Sequence, residues 1–215
     1  MSVNNVETLL DQTLRDSDLS AKQKAVLRAS LTLFAQQGYA RTSTADIARA
    51  AGVSEGTVYK RFKTKADLLA ALMQPFMAQV VPKVAGEFGD ATMTQLPPDF
   101  ETLLHRVIVD RMQFAIANYQ VVKIFAAEAL QRPELLQRVQ GAFDQLVTTR
   151  ITPALVHYQQ RGQLVNWPPQ LIVRYIAGTL IGDVLPSLLV SHASIDVAAR
   201  AAEDTRFLMK GLRPE

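Results

Sequence analysis

The chain has 215 residues, 48% of them apolar, with a formal net charge of +3 and no cysteine. That length and apolar content suit a chain that buries a substantial core, which excludes disorder as the default; the missing thiols exclude disulfides and thiolate metal sites and fit a reducing compartment. Residues 20–66 carry nine basic side chains against Asp46 and Glu55, a local net of +7, so the remainder sums to −4. Such polarity is what one basic face offered to a polyanion would show, although a charge run by itself is usually only a solvated face.

Residues 1–19 lack the basic stretch and apolar run of an export signal and read as a weakly amphipathic or disordered tail, so the cytoplasm is the expected location. From there on helical periodicity dominates and strand alternation is nearly absent, which predicts an all-α fold. "SAKQ" is a capping box at Ser20, and Leu27, Leu31 and Phe34 follow at helical spacing until Gly38 stops the helix. Thr42 or Ser43 caps a short second helix, with Asp46 three residues beyond Ser43, Ile47, Ala48 and Ala51 apolar, and Gly52 at its end. Ser54 caps a third helix on which Val58 and Phe62 face inward while Thr57, Tyr59, Lys60 and Lys63 are left outward or flanking.

"TKAD" opens a long fourth helix, with bends or an early end expected at Pro75 and Pro82. "GDATMTQLPPD" then gathers turn residues between two apolar-periodic stretches and is the best candidate boundary, with a second all-helical region after it. Further helices are predicted over "PPDFETLLHRVIVDRMQFAIANY", over "QVVKIFAAEALQR", and from Pro133 to Gly162 with a bend near Pro153; the last two cover 170–190 and 194–212. The domain division read from this pattern is a tail over 1–19, a basic three-helix head over 20–66 and a larger helical domain over 67–215.

Two short helices joined by a glycine turn and braced by a preceding apolar helix form a helix-turn-helix pattern whose second helix would enter the major groove. Gly52 permits the tight reversal, Val53 plugs the angle between the helices, and Ser54 caps a helix whose positive end welcomes phosphate. Gly56 lets backbone approach DNA; Thr57 offers a hydroxyl and a methyl to base edges, Tyr59 a phenolic donor, and Lys60 and Lys63 contacts to phosphate or guanine.

With these residues in register, "GYARTSTADIARAAGVSEGTVYKRFKTKADLL" resembles the DNA-binding region of the TetR family of bacterial transcription regulators, in detail from about Ser20 to Met73. The resemblance implies that Thr42 and Thr44 touch phosphates at the start of the second helix, and that Ser54, Gly56, Thr57, Tyr59, Lys60 and Lys63 form the recognition surface. Where the family usually has His or Tyr before the Phe, this chain has Arg61, a second cation for the DNA backbone or a reader of guanine. The N-terminal three-helix head would be followed by a larger helical domain for ligand binding and dimerisation.

The run from Leu171 to Val190 has the length of a membrane span, but Arg174 and Asp183 would each cost about 2.5–3.5 kcal/mol near mid-span, so a membrane partner is not expected. Burial is required instead, within the monomer or, as the resemblance implies, in a homodimer interface made by the last two helices; the interface residues expected are Gly178, Gly182, Leu185, Leu189 and Phe207. His105, His157 and His192 lie far apart, without a carboxylate or second His at metal spacing, and no nucleophile elbow or phosphate loop occurs, so no enzyme activity, metal or cofactor is expected.

Resemblance also implies a pocket among the middle helices whose occupation tilts the fourth helix and changes the spacing of two heads. His105, Met112, Phe114, Asn118, Phe125, Glu128 and Tyr158 are its candidate lining, with Tyr119 and Trp167 nearby in sequence; plain core is the alternative for most of them. An apolar pocket suits a hydrophobic effector, while Glu128 and Asp183 suit either a cationic one or pairing with Arg or Lys. The expected function is a repressor that leaves a pseudo-palindromic double-stranded DNA operator on binding a small molecule, with a constitutive or protein-controlled DNA-binding protein as the alternative.

Overall fold

The structure, a computed structural model, describes residues 14–15, 17–75, 95–119, 122–124, 133–189 and 196–214. These residues contain no strand, and their main helices are α1 Ala21–Gln37, α2 Thr44–Ala50, α3 Glu55–Arg61, α4 Lys65–Pro75, α5 Phe100–Ala117, α6 Pro133–Leu146, α7 Thr152–Gln160, α8 Pro169–Leu189 and α9 Val197–Leu212. The described residues fall into two compact units, those of Asn4–Lys83 with Asn118–Val139 and those of Val84–Ala117 with Gln140–Glu215.

In the first unit α1 packs against α2, α3 and α4. Its apolar stripe, Leu27, Leu31 and Phe34, is buried together with Ile47 and Ala48 of α2, Val58 of α3, Phe62, and Leu68, Leu69 and Leu72 of α4. Removing each large side chain of this kind from water contributes about 1.5–3 kcal/mol. The helix starts are sharply defined. Ser20 and Gln23 form a reciprocal capping box, Ser43 and Asp46 a second, and Thr64 and Asp67 a third. Of the two cap candidates for α2, therefore, the structure selects Ser43.

Gly52, at φ +66°, ends α2 in a left-handed turn. Its N–H donates to the Arg49 carbonyl at 3.2 Å, and Val53 N–H reaches back to Ala48 at 3.0 Å. Those two bonds satisfy carbonyls that the end of a helix leaves open, and they turn the chain sharply enough for α3 to begin at once. A second tie comes from Lys65, whose ammonium donates to the carbonyls of Tyr39, Ala40 and Thr42 at 2.8, 3.2 and 3.1 Å and lies 4.4 Å from the Tyr39 ring centre. The start of α4 is thereby bound to the turn that precedes α2.

In the second unit α5 packs on α8 and α9. Their shared core includes Phe100, Leu104, Ile108 and Met112 of α5, Ile172 and Val184 of α8, and Leu208 and Leu212 of α9. Tyr158 of α7 is fully buried in the same core, edge-on to Phe100 at 5.6 Å between ring centres, with its hydroxyl donating to the Pro97 carbonyl at 2.7 Å. The bend expected near Pro153 is a π-helical stretch over Val147–Ile151 just ahead of it. Proline has no N–H to continue the ladder, and the wider turn absorbs the mismatch while the backbone stays right-handed helical.

Helix α8 is not buried all round. Arg174, Tyr175, Gly178, Ile181 and Gly182 form one exposed stripe at helical spacing, Ile181 and Tyr175 being 59% and 47% exposed. No helix among the described residues is long and apolar enough to cross a membrane. Where α8 meets α9, Asp183 lies 3.7 Å from Arg200. Asp204 Oδ2 is buried there with no hydrogen-bond partner, and burial together with the neighbouring charge of Asp183 holds the Asp204 carboxyl above its ordinary value of 3.8. A carboxyl raised in the folded chain destabilises the fold once pH exceeds its unfolded value, and the full effect is reached above the folded value. Asp204→Asn is therefore expected to raise the melting temperature at pH 7, with the gain shrinking toward zero as pH falls below about 4, where Asp204 is protonated in both states; melts followed by circular dichroism across that range check it.

Candidate nucleic-acid interface

The turn after α2 sends α3 across the surface of the first unit, and burial of Val58 and Phe62 decides which of its faces looks outward. Ser54, Gly56, Tyr59, Lys60, Arg61 and Lys63 are exposed, Tyr59 by 46%. Thr57 is half-buried; its N–H donates to Ser54 Oγ at 3.3 Å and its hydroxyl lies 2.9 Å from the same oxygen, so Ser54 holds the start of α3 and steadies the Thr57 side chain. An added Cβ at Gly56 would meet no atom closer than Ser54 Oγ at 4.0 Å. That position is open on its own surface, which leaves room for another molecule's backbone to approach.

An open concavity of about 440 Å³ lies beside this face, lined by residues 40–44, Thr42 and Thr44 among them, from one side and by Tyr59, Lys63, Thr64 and Lys65 from the other. Both hydroxyls and cations line it. Thr44 Oγ1 lies 2.8 Å from Tyr59 Oη and donates to Glu55 Oε1 at 3.2 Å, so the start of α2 and the outward face of α3 are joined by a polar chain. Asp46 turns its carboxylate back onto Ser43, whose hydroxyl and backbone N–H hold the carboxyl below its usual range. One of the two acids of residues 20–66 is thus used internally as a helix cap.

Thr42 sits deeper than the sequence led one to expect. It is only 1% exposed, and its hydroxyl donates to the Gly38 carbonyl at 2.8 Å with the Leu33 carbonyl 3.3 Å away. Gly38 leaves two carbonyls at the end of α1 within reach, and a threonine turned inward satisfies them better than one turned toward a phosphate. Thr44, two residues on and half-buried, lines the concavity with more of its surface open, Thr42 contributing to the same wall. Sequence reasoning passed over Arg41, Glu55 and Lys65 as site residues. Arg41 and Lys65 had been counted only in the charge total, and Glu55 four residues before Tyr59 on one helix face was the signal that could have joined those two.

The candidate ligand residues are placed differently. Met112 and Tyr158 are core in the second unit, His105 is half-buried with Nδ1 3.3 Å from Thr205 Oγ1, and Phe114 is half-buried with the Arg111 guanidinium 4.8 Å from its ring centre. Asn118 is buried, while Phe125, Glu128 and also Pro82 lie outside the described residues. Of the expected interface positions, Gly178, Gly182 and Phe207 are exposed, Phe207 by 67%, and Leu185 is half-buried; the Leu189 side chain lies outside the described residues.

Residues 26–72 match the family model described as bacterial regulatory proteins, tetR family. The chain is similar to the HTH-type transcriptional regulator AcrR of Shigella flexneri, 30% identical over 93 residues, which is 43% of this chain and 41% of that relative. The alignment therefore spans less than half of the relative's length. Among solved structures it is similar to a TetR-family transcriptional regulator from Mesorhizobium loti, with a TM-score of 0.65 at 17% identity over 90% of this chain and 97% of the other. It is also similar to the transcriptional regulator FadR from Bacillus subtilis in complex with stearoyl-CoA, with a TM-score of 0.62 at 22% identity over 87% and 97% of the two chains. Likeness at that identity shows the fold, and the match to the tetR family of bacterial regulatory proteins covers the head, residues 26–72, which carries the turn, caps and basic face described above.

Proposed function

We propose that this chain is a homodimeric transcriptional repressor that binds a pseudo-palindromic DNA operator through α3 and leaves it on binding a small hydrophobic ligand. The observation that carries the DNA reading is the outward face of α3, where Tyr59, Lys60, Arg61 and Lys63 are exposed together beside a concavity lined by Thr44 and Arg41. Phosphate contacts by cations and hydroxyls set position on the duplex, and residues early in the recognition helix read base edges. A second copy related by two-fold symmetry would present a second such helix to a matching half-site.

The dimer reading is supported by apolar and glycine positions exposed on the last two helices. Tyr175, Gly178, Ile181 and Gly182 on α8 form one row, and Phe207 on α9 is a large aromatic left mostly in water. Glycines four residues apart admit a close helix approach, and covering such surface drives association. For the ligand, the support is chemical: the second unit is dominated by aliphatic and aromatic core, and FadR of Bacillus subtilis, alike in fold, was solved with stearoyl-CoA. Asp183, one of the two acids that left a cationic ligand open, stands 3.7 Å from Arg200, which favours internal pairing at that position.

Selection of the full chain against a random-sequence DNA library, then fluorescence anisotropy on the enriched site from about 50 to 200 mM salt, tests the function directly. An enriched inverted repeat bound by an even number of chains is expected. Lys63→Ala should weaken binding to all sequences and reduce the salt slope by about 1, as loss of one phosphate contact does. Equal binding to every sequence that vanishes with salt would reduce the face to a non-specific basic patch.

Ile181→Asp combined with Phe207→Asp should convert the dimer to a folded monomer in sedimentation, with operator affinity falling at least ten-fold because half-sites are then bound singly. A dimer that survives both charges would place the interface elsewhere. Stearoyl-CoA and shorter acyl-CoA thioesters, assayed by thermal shift, should raise the melting temperature, by the equivalent of about 2.7 kcal/mol at one hundred times the dissociation constant. If every chain length leaves the melt unmoved, the acyl-ligand reading is wrong.

A further inference from the structure

Glu55 is the single acid of α3, a helix that closes on Lys60 and Arg61 with Lys63 just beyond it. On a surface built for a polyanion an acid opposes phosphate, so its presence there calls for another use. The structure holds it in place. Thr44 Oγ1 donates to Glu55 Oε1 at 3.2 Å, and the same threonine oxygen lies 2.8 Å from Tyr59 Oη. Each hydroxyl owns one proton, and an ionised carboxylate only accepts. The proton of Thr44 therefore goes to Glu55, and Tyr59 must donate to Thr44. The polar chain runs in one direction, from Tyr59 through Thr44 to Glu55.

Two consequences follow for the recognition face. The phenolic proton of Tyr59, which looked like a donor for DNA, is already engaged, so what Tyr59 presents outward is its ring and oxygen lone pairs. Glu55, by contrast, is exposed and held by Thr44 through one of roughly four lone-pair positions, with the others left to accept. It lies four residues before Tyr59, on the same face of α3.

In the major groove a carboxylate can accept only from an exocyclic amino group. Guanine and thymine offer acceptors there, and adenine sets its N7 acceptor beside the amino group, opposite the second carboxylate oxygen. Cytosine offers its N4 amino group with no neighbouring acceptor of its own. We propose that Glu55 is a specificity-determining residue that accepts a hydrogen bond from cytosine N4 in each half-site, held in the required orientation by Thr44 and Tyr59. The proposal rests on the DNA-binding reading above and adds the base that one position of the operator must carry.

Random-sequence selection with the full-length wild type, Glu55→Gln, Glu55→Ala and Thr44→Val tests it, each variant first being checked for an unchanged circular dichroism melt. Wild type is expected to enrich cytosine at one symmetric position per half-site, with discrimination of roughly ten-fold over other bases. Glu55→Gln should change that position alone to adenine, whose N6 and N7 suit an amide, and Glu55→Ala should erase the preference there while raising affinity for random DNA. Thr44→Val should keep the preference for cytosine and weaken its discrimination, since it removes the group that orients the carboxylate and not the carboxylate itself. Glu55→Gln enriching the wild-type motif unaltered at every position would overturn the assignment while leaving the DNA-binding reading intact. If wild type enriches no motif at all, that reading fails and this assignment falls with it.

Discussion

An ammonium group among backbone carbonyls is the constraint on which the head depends. Lys65, the first residue of α4, donates to Tyr39, Ala40 and Thr42 while resting on the Tyr39 ring, which itself packs edge-on against Phe34 of α1. Carbonyls beyond the end of a helix need donors, and a charged donor shared among three gives stronger bonds than neutral ones would. Because the bound carbonyls belong to the turn that leads into α2, the positions of Ser43 and Thr44 follow from it. A residue that composition counts as one more positive charge is thus an internal tie.

Charge on the rest of this face is sorted in the same way. Asp46 is drawn back into a cap, Thr42 turns inward to serve the end of α1, and Glu55 is tied to Thr44. What remains outward is mostly cationic, with Lys60, Arg61 and Lys63 exposed. Attraction between cations and phosphate carries no sequence information; under the function proposed above, that information would come from polar groups with fixed directions. The hydrogen-bond chain through Thr44 gives direction to side chains that would otherwise rotate freely in water.

The second unit follows a different rule. Its core is continuous from α5 through α7 to α9, and even the polar groups of Tyr158 and Thr205 are used inside it. Yet α8 and α9 leave glycines, Ile181 and Phe207 in water. Apolar side chains gain by leaving water wherever a partner surface allows, so a helix with one apolar face in the core and another outside it suits a protein that works as more than one copy.

Most of the fold was legible in the sequence because its signals are local. Caps at Ser20, Ser54 and Thr64, the glycine stops at Gly38 and Gly52, and the apolar spacing of Leu27, Leu31 and Phe34 each act within a few residues, and the helices begin and end where those signals lie. The outward side of α3 was legible as well, since burial of Val58 and Phe62 leaves Tyr59 and Lys63 no other place. What the tertiary structure alone decided is which polar group meets which across sequence distances that no local spacing reports. It chose Ser43 over Thr42 as the cap, turned Thr42 inward, joined Thr44 to Tyr59 and Glu55, gave Lys65 to three carbonyls of a distant turn, and made Tyr158 a core residue bonded to Pro97. Local propensity specifies where a helix begins and which face is apolar; the partner of a hydroxyl or an ammonium depends on where other helices place their unsatisfied groups, and only packing determines that.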